Sequence, residues 1–434
     1  MDASLLRSKL KSTEKAFLSE MFGGMDEPER EACEKIFSTI LNQGTTLLSH
    51  LAKDEDAQHV YVDETRGKPR KRQTTRKGVQ EWMSRWLEKG DFNAGEYLLS
   101  NGARSVQADT TIAFDQSDIS KEFGGKGMEG MAKGHDGSRG VTAMGHDVIG
   151  ASVVPMGRGV AIPLLVELQK GRTGAPEATR RLIDQIFRAT GGRGQLAMDR
   201  GYDGDEHVHF LFERGYKAVI RVKHMKRDVF GDGLDISEAF QRVEGWDAKL
   251  VRAHGTQEAH LKYKLGNFPH EEKKPKTTSY FPVMLVSSFF DGKEIFLYVV
   301  RKSFEGLTHE DLKRLAQQAA QAYFDRWGIE TFFLRVKQDY HIEEARVRTF
   351  KRLENLLSLC VLAYLFTSQY LRTQTEAYKF VMKAKKDSFH QVAAGVQAFV
   401  INLREMLRCE KIAFISGRPR KREAIDRRQL LLAL

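Results

Sequence analysis

The stretch QLAMDRGYDGDEHVHFLFERGYKAVIRVK, residues 195–223, decides the fold. Gln195 to Asp199 reads as a short strand ending on a carboxylate, Asp205 to Arg214 as a helix, and Tyr216 to Lys223 as a second strand rich in branched residues. Working outward, Thr110 to Asp115 (TTIAFD), Val141 to Val154 and Val160 to Leu168 are three sequential strands separated by glycine-containing turns. Ala175 to Ala189 then has Pro176 near its start, apolar residues at helical spacing and Gly191-Gly192 as a stop, which marks a helix. The order strand, strand, strand, helix, strand, helix, strand predicts an α/β core.

Beyond that core the pattern changes twice. From about His224 to Phe304, alternating runs around Lys249, Lys262, Val283 and Phe296 read as an all-β insertion. From Thr308 to Tyr340 the chain is strongly helical, and helical periodicity continues to Leu407. Ser4 to His50 also repeats at helical spacing. The expected division is therefore a helical N-terminal region (1–100), a core in two parts (101–223 and 307–345) around the β insertion (224–306), and a helical C-terminal region (346–434).

The 434 residues carry 69 Lys and Arg against 58 Asp and Glu, a net charge of +11 that favours a polyanionic partner such as nucleic acid. Two basic runs, Arg66 to Gly78 and Arg418 to Arg428, read equally well as phosphate-holding segments or as solvated loops. Cys33, Cys360 and Cys409 are too far apart in sequence for a disulfide framework or a zinc knuckle, which fits a reducing compartment. The N-terminus lacks a signal-peptide pattern, and the longest apolar run, Leu356 to Phe366, is too short for a bilayer and reads as a buried helix. These features predict a cytoplasmic protein with no membrane partner. Gly124-Gly125-Lys126-Gly127 lacks phosphate-loop spacing, so a nucleotide-binding loop is not expected.

Tyr323, Arg326, Glu330 and Lys337 stand at i, i+3, i+7 and i+14. At about 100° per residue they fall within roughly a 60° arc of one helix. A salt-bridged surface stripe is the bland account of such a pattern. The spacing resembles the Tyr-Arg-Glu-Lys signature of DDE transposases of the insertion sequence 4 family, with Arg326-Trp327-Gly328-Ile329-Glu330 similar to its centre. Gly328 is the local irregularity and marks a possible joint in the helix.

The resemblance implies an RNase H-like catalytic core with two aspartates on neighbouring strands. Asp199, followed by Arg200-Gly201-Tyr202-Asp203-Gly204, is similar to the family's second-aspartate motif; Asp203 and Asp205 fit turn or cap roles better. Asp109, Asp115 and Asp118 all flank the first strand. Asp115 is chosen because it closes the run Thr110 to Phe114 and opens a segment similar to the family's Asp-x-Ser/Thr, with His135 to Gly140 at a compatible distance. Asp109 and Asp118, read as turn and cap residues, remain the alternatives.

By this resemblance Asp115, Asp199 and Glu330 are catalytic and hold two Mg²⁺ ions, for which Mn²⁺ can substitute, while Tyr323, Arg326 and Lys337 hold DNA phosphates. Hard cations prefer oxygen donors, in agreement with a carboxylate set. The histidines show no HExxH pattern. The implied function is cut-and-paste transposition in a bacterial, nucleoid-associated setting. Its partners are double-stranded DNA, as terminal inverted repeats and target, and a second copy of the chain on paired ends. A DNA-binding regulator derived from a transposase and an RNase H-like nuclease without strand transfer are the alternatives. Trp246, in the β insertion, reads as a core residue or as a stacking platform for an unpaired base.

Overall fold

The computed structural model describes residues 3–53, 59–62, 70–73, 75–121, 127–136, 140–154, 161–171, 176–252, 255–273 and 276–370. The helical periodicity read from residue 371 to Leu407, the second basic run, Cys409 and Gly124 to Lys126 lie outside these residues.

Five helices open the chain: α1 (Ala3–Phe22), α2 (Glu27–Gln43), α3 (Leu48–Leu51), α4 (Arg76–Lys89) and α5 (Gly95–Ala103). Local sequence sets the ends of α2. Asp26 accepts from the Glu29 N–H at 2.9 Å, Pro28 occupies the first turn, and Gly44 ends the helix with φ 59°. Between α3 and α4, strands β1 (His59–Val62) and β2 (Arg70–Gln73) pair antiparallel. Within the basic stretch Arg66 to Gly78, read as a phosphate-holding segment or a solvated loop, Arg70 to Gln73 form β2 and residues 76–78 open α4, so these described parts are not a loop.

The centre is a ten-stranded sheet. Its first six strands are β3 (Thr111–Ser120), β4 (Ala132–Asp136), β5 (Val141–Val154), β6 (Ile162–Gln169), β7 (Gln195–Met198) and β8 (Ala218–Arg221). Strands β9 (Trp246–Arg252), β10 (Gly255–Lys273), β11 (Lys276–Phe290) and β12 (Lys293–Val300) complete it. The spatial order is β4-β5-β3-β7-β8-β12-β11-β10-β9, with β6 also beside β5. Strands β3, β5 and β6 form an antiparallel meander, and β7 and β8 continue the sheet in parallel with β3. Helices α6 (Pro176–Thr190) and α7 (Asp205–Arg214) connect into β7 and β8. Three antiparallel strands followed by two parallel ones agree with the RNase H-like core expected from the sequence.

The β insertion is not a separate body. Val300 of β12 lies opposite Ala218 of β8, so the four later strands extend the same sheet, preceded by the short helix α8 (Ile236–Phe240). Pairing β8 with β12 satisfies a row of N–H and C=O groups that an open edge would expose.

Alternation along the strands sorts side chains between two faces. Ile112, Phe114, Leu196 and Met198 pack with Leu182, Ile186 and Leu211 of α6 and α7. On the opposite face, Ala197 and Val219 meet Ala316 and Ala319 of α9 (His309–Asp325). There too Ala113 and Val154 join a core with Ile329 and Phe332 of α10 (Trp327–Asp339), with α11 (Phe350–Leu365) and with the N-terminal helices. Leu356 to Leu365 are buried almost throughout, as expected of the longest apolar run. Trp246 packs partly buried against the sheet, 6.0 Å from the Tyr263 ring, which is the core role. Cys33 and Cys360 are free and buried. Among the described residues no helix is long and apolar enough to cross a membrane.

Asn355, fully buried on α11, ties the N-terminal helices to the core. Its Nδ2 donates to the carbonyls of Leu87 (2.9 Å) and Gly90 (2.8 Å), and its Oδ1 accepts from the Phe92 N–H at 3.2 Å. Leucine in its place leaves three buried backbone groups unpaired. Asn355→Leu is expected to lower the unfolding free energy by about 3 kcal/mol, read as a lower urea midpoint; an unchanged midpoint would refute this role.

Candidate active site

Register builds the first row of the site. In the parallel pair β3–β7, Phe114 lies opposite Met198, and in β7–β8, Met198 lies opposite Ile220. The next residues, Asp115, Asp199 and Arg221, therefore stand side by side across three strands. Each is two residues beyond Ala113, Ala197 or Val219, so all three face α9 and α10. Asp115 does not end its strand: β3 runs on to Ser120 along β5, and only the pairing with β7 stops at Phe114.

The second row comes from the helices. The signature does not lie on one continuous helix, because α9 ends at Asp325, α10 starts at Trp327, and Arg326 occupies the joint. There the Ile329 N–H bonds the Arg326 carbonyl three residues back, a tightened turn at the junction of the two helices. Gly328 is not the joint but the first-turn residue that lets α10 approach β5. A Cβ at Gly328 would sit 2.9 and 3.2 Å from the two methyls of Val154.

Arg326, 5% exposed, joins the rows. Its Nη1 donates to Asp115 Oδ2 at 2.7 Å and its Nη2 to Glu330 Oε1 at 2.5 Å. Its Nε, also buried, has no hydrogen-bond partner. Burial opposes the guanidinium charge, and Asp115 and Glu330 more than compensate, so its pKa is raised. Tyr323 Oη donates to Asp199 Oδ1 at 3.2 Å, and Arg221 stands 3.9 Å from the same oxygen. Burial, then the Asp199 charge, raises the Tyr323 phenol. Asp199 makes no helix-capping bond to the following turn, so the plain cap role does not describe it.

Lys337 lies a helix turn and more from this cluster and makes its own pairs, with Asp118 at 3.0 Å and Glu343 at 3.5 Å. Asp118 is consequently neither a turn nor a cap residue: it lies within β3 and anchors Lys337. Asp109 does occupy a turn. Asp203, with its side chain buried, accepts from the Lys223 and His224 N–H groups and pairs with Arg227, a structural role in place of the expected turn or cap.

Sequence reasoning missed Arg221 and Lys121. Arg221 was detectable as a cation closing the strand next to Asp199. Lys121, almost fully buried, donates through Nζ to the carbonyls of Ile342, Glu343 and Ala345, linking the end of β3 to the segment after α10; burial pulls its pKa down to about 7. No sequence spacing announces that contact. Trp327, 66% exposed, stands at the joint beside Arg326.

The chemistry available is that of three carboxylates beside two cations, Arg326 bonded to Asp115 and Glu330, and Arg221 close to Asp199. Among the described residues no group of three or more His, Cys, Asp and Glu is arranged to hold a metal ion. Asp115 and Glu330 are drawn onto Arg326, while Asp199 is held by Tyr323. Burial pushes the Asp115 carboxyl up to about 6; Arg326 opposes this, and the charges of Glu330 and Asp199 add to it.

A carboxyl whose folded pKa exceeds its unfolded one favours folding fully at low pH and loses that contribution as pH rises through the folded value. In chelator, Asp115 should therefore reduce stability by up to about 3 kcal/mol between roughly pH 4 and 6. The difference between wild-type and Asp115→Asn urea unfolding free energies should slope across this window. A pH-independent difference would contradict the assignment.

The family described as Transposase DDE domain matches residues 107–366, from the turn before β3 to the end of α11. No curated protein matches the chain. The matched segment is more than half of the 434 residues and contains both rows of the site, and the chain belongs to the Transposase DDE domain family.

Proposed function

We propose that this chain is a cut-and-paste DNA transposase of the insertion sequence 4 kind, with Asp115, Asp199 and Glu330 as its catalytic carboxylates. One observation carries the reading: Arg326 bonds both Asp115 and Glu330, and the β3–β7 register sets Asp199 on the strand beside Asp115, so three carboxylates from distant parts of the sequence gather in one place. Membership of a transposase family that uses divalent metal ions supports it.

The donor set fits Mg²⁺ or Mn²⁺ in its chemistry. All three side chains offer hard oxygen ligands, and the neighbouring negative charges that push Asp115 up are what a divalent cation relieves. Two such ions would stabilise charge on the attacking and leaving oxygens of a phosphodiester. The chain's own contribution is positioning. Asp115 and Asp199 stand on a rigid sheet, and Glu330 is brought down to it by the contact of Gly328 with Val154. Tyr323, Arg326 and Lys337 provide a phenol, a two-pronged guanidinium and an ammonium suited to phosphate oxygens. For Arg326, phosphate exchanges one set of anionic partners for another. Binding of terminal inverted repeats, pairing of two ends by two copies of the chain, and strand transfer into target DNA complete this reading, with residues 1–100 contributing to DNA binding.

Incubation of the protein with DNA carrying its element's ends and Mg²⁺ tests the proposal. Asp199→Asn and Glu330→Gln should each lower cleavage at least a thousandfold while DNA binding persists. Cleavage by either variant at the wild-type rate would overturn the site. Wild-type cutting without joining would point to a nuclease, and binding without cutting to a regulator.

A further inference from the structure

A second basic feature lies away from the carboxylates, between α4 and the segment that follows α10. It is a cleft of about 580 Å³ whose walls carry Lys77, Arg85, Lys89, Arg346, Arg348 and Arg352. Glu81 and Glu88 are its acidic residues. Lys77, Glu81, Arg85 and Lys89 are spaced four apart, so they form one stripe along α4. On the facing wall Ala345 and Val347 are buried while Arg346 and Arg348 are exposed, an alternation that directs both arginines outward.

The acids do not neutralise this surface. Glu88 is engaged by Arg352 at 2.8 Å and by the Thr349 hydroxyl, and Glu81 lies 3.9 Å from Lys77. Arg85, Lys89 and Arg348 have no ion pair among the described residues. No aromatic ring lines the cleft, so it offers charge but no stacking platform for unpaired bases. The stripe from Lys77 to Lys89 is about 18 Å long, over which one strand of a duplex advances about five phosphates.

Its place relative to the carboxylates is fixed. Helix α10 leads from Glu330 over about 15 Å to the segment whose carbonyls Lys121 holds against β3, and Arg346 follows at once. From these observations we infer that the cleft between α4 and residues 345–352 grips the phosphodiester backbone of duplex DNA to one side of the cleaved bond. The inference rests on the transposase reading and adds a docking surface to it.

Fluorescence anisotropy of the full chain with a labelled random-sequence duplex, titrated at several salt concentrations, tests it. Arg85→Ala/Lys89→Ala and, separately, Arg346→Ser/Arg348→Ser should each weaken binding about tenfold or more and flatten the salt slope by about two. Glu81→Gln should tighten binding, an outcome that loss of folding cannot mimic. Variants that bind with the wild-type slope would overturn the cleft while leaving the active-site reading intact, as would inorganic pyrophosphate competing as strongly as unlabelled duplex. A wild-type chain that does not bind duplex at all would overturn both.

Discussion

The buried guanidinium of Arg326 holds Asp115 of the central sheet and Glu330 of the following helix at once, and much of the molecule is arranged around that fact. A guanidinium and a carboxylate largely removed from water, Arg326 and Asp115, cost several kcal/mol unless each is satisfied, and removing one leaves the other uncompensated, while Glu330 keeps part of its side chain in solvent. Arg326 stands at the joint between α9 and α10, and Glu330, four residues on, lies on the same face of α10, so one guanidinium reaches both Asp115 of β3 and Glu330. Gly328 is the steric condition for the joint to lie close, with Val154 filling the space a side chain would take.

Around this centre the structure is braced by long-range polar contacts rather than by local ones. Lys121 takes three carbonyls from residues 342–345, and Lys337 joins Asp118 to Glu343, so strand β3 and the end of α10 are held in register from both sides. Asn355 does the same between α11 and the N-terminal helices. These contacts keep the carboxylate cluster and the basic cleft beyond α10 in a fixed relation, which a loop connection would not do.

Much of this was legible in the sequence. The strands and helices of the core, including Asp205 to Arg214 as a helix and Val141 to Val154 as a strand, followed from apolar period and glycine stops. So did the signature spacing and the residue types of the site. The length of β3, the strand β4 and the break at Arg326 were not legible. Asp115 and Asp118 look like the end of a strand because charge interrupts the apolar run, yet both are satisfied by distant cations and the strand continues through them.

Apolar period and turn residues, which act over short spans, already placed Asp115 and Asp199 at strands and Arg326 and Glu330 in a helical segment. That the β insertion joins the central sheet, that Arg326 and not Gly328 is the joint, and that Asp118 belongs to Lys337 emerges from the folded chain alone. Each of those depends on which groups meet across long stretches of chain, from the β8–β12 pairing to the Arg326–Asp115 and Lys337–Asp118 contacts. Pairing an open strand edge and compensating a buried charge are properties of the assembled fold, and neither leaves a periodic trace in the order of the residues.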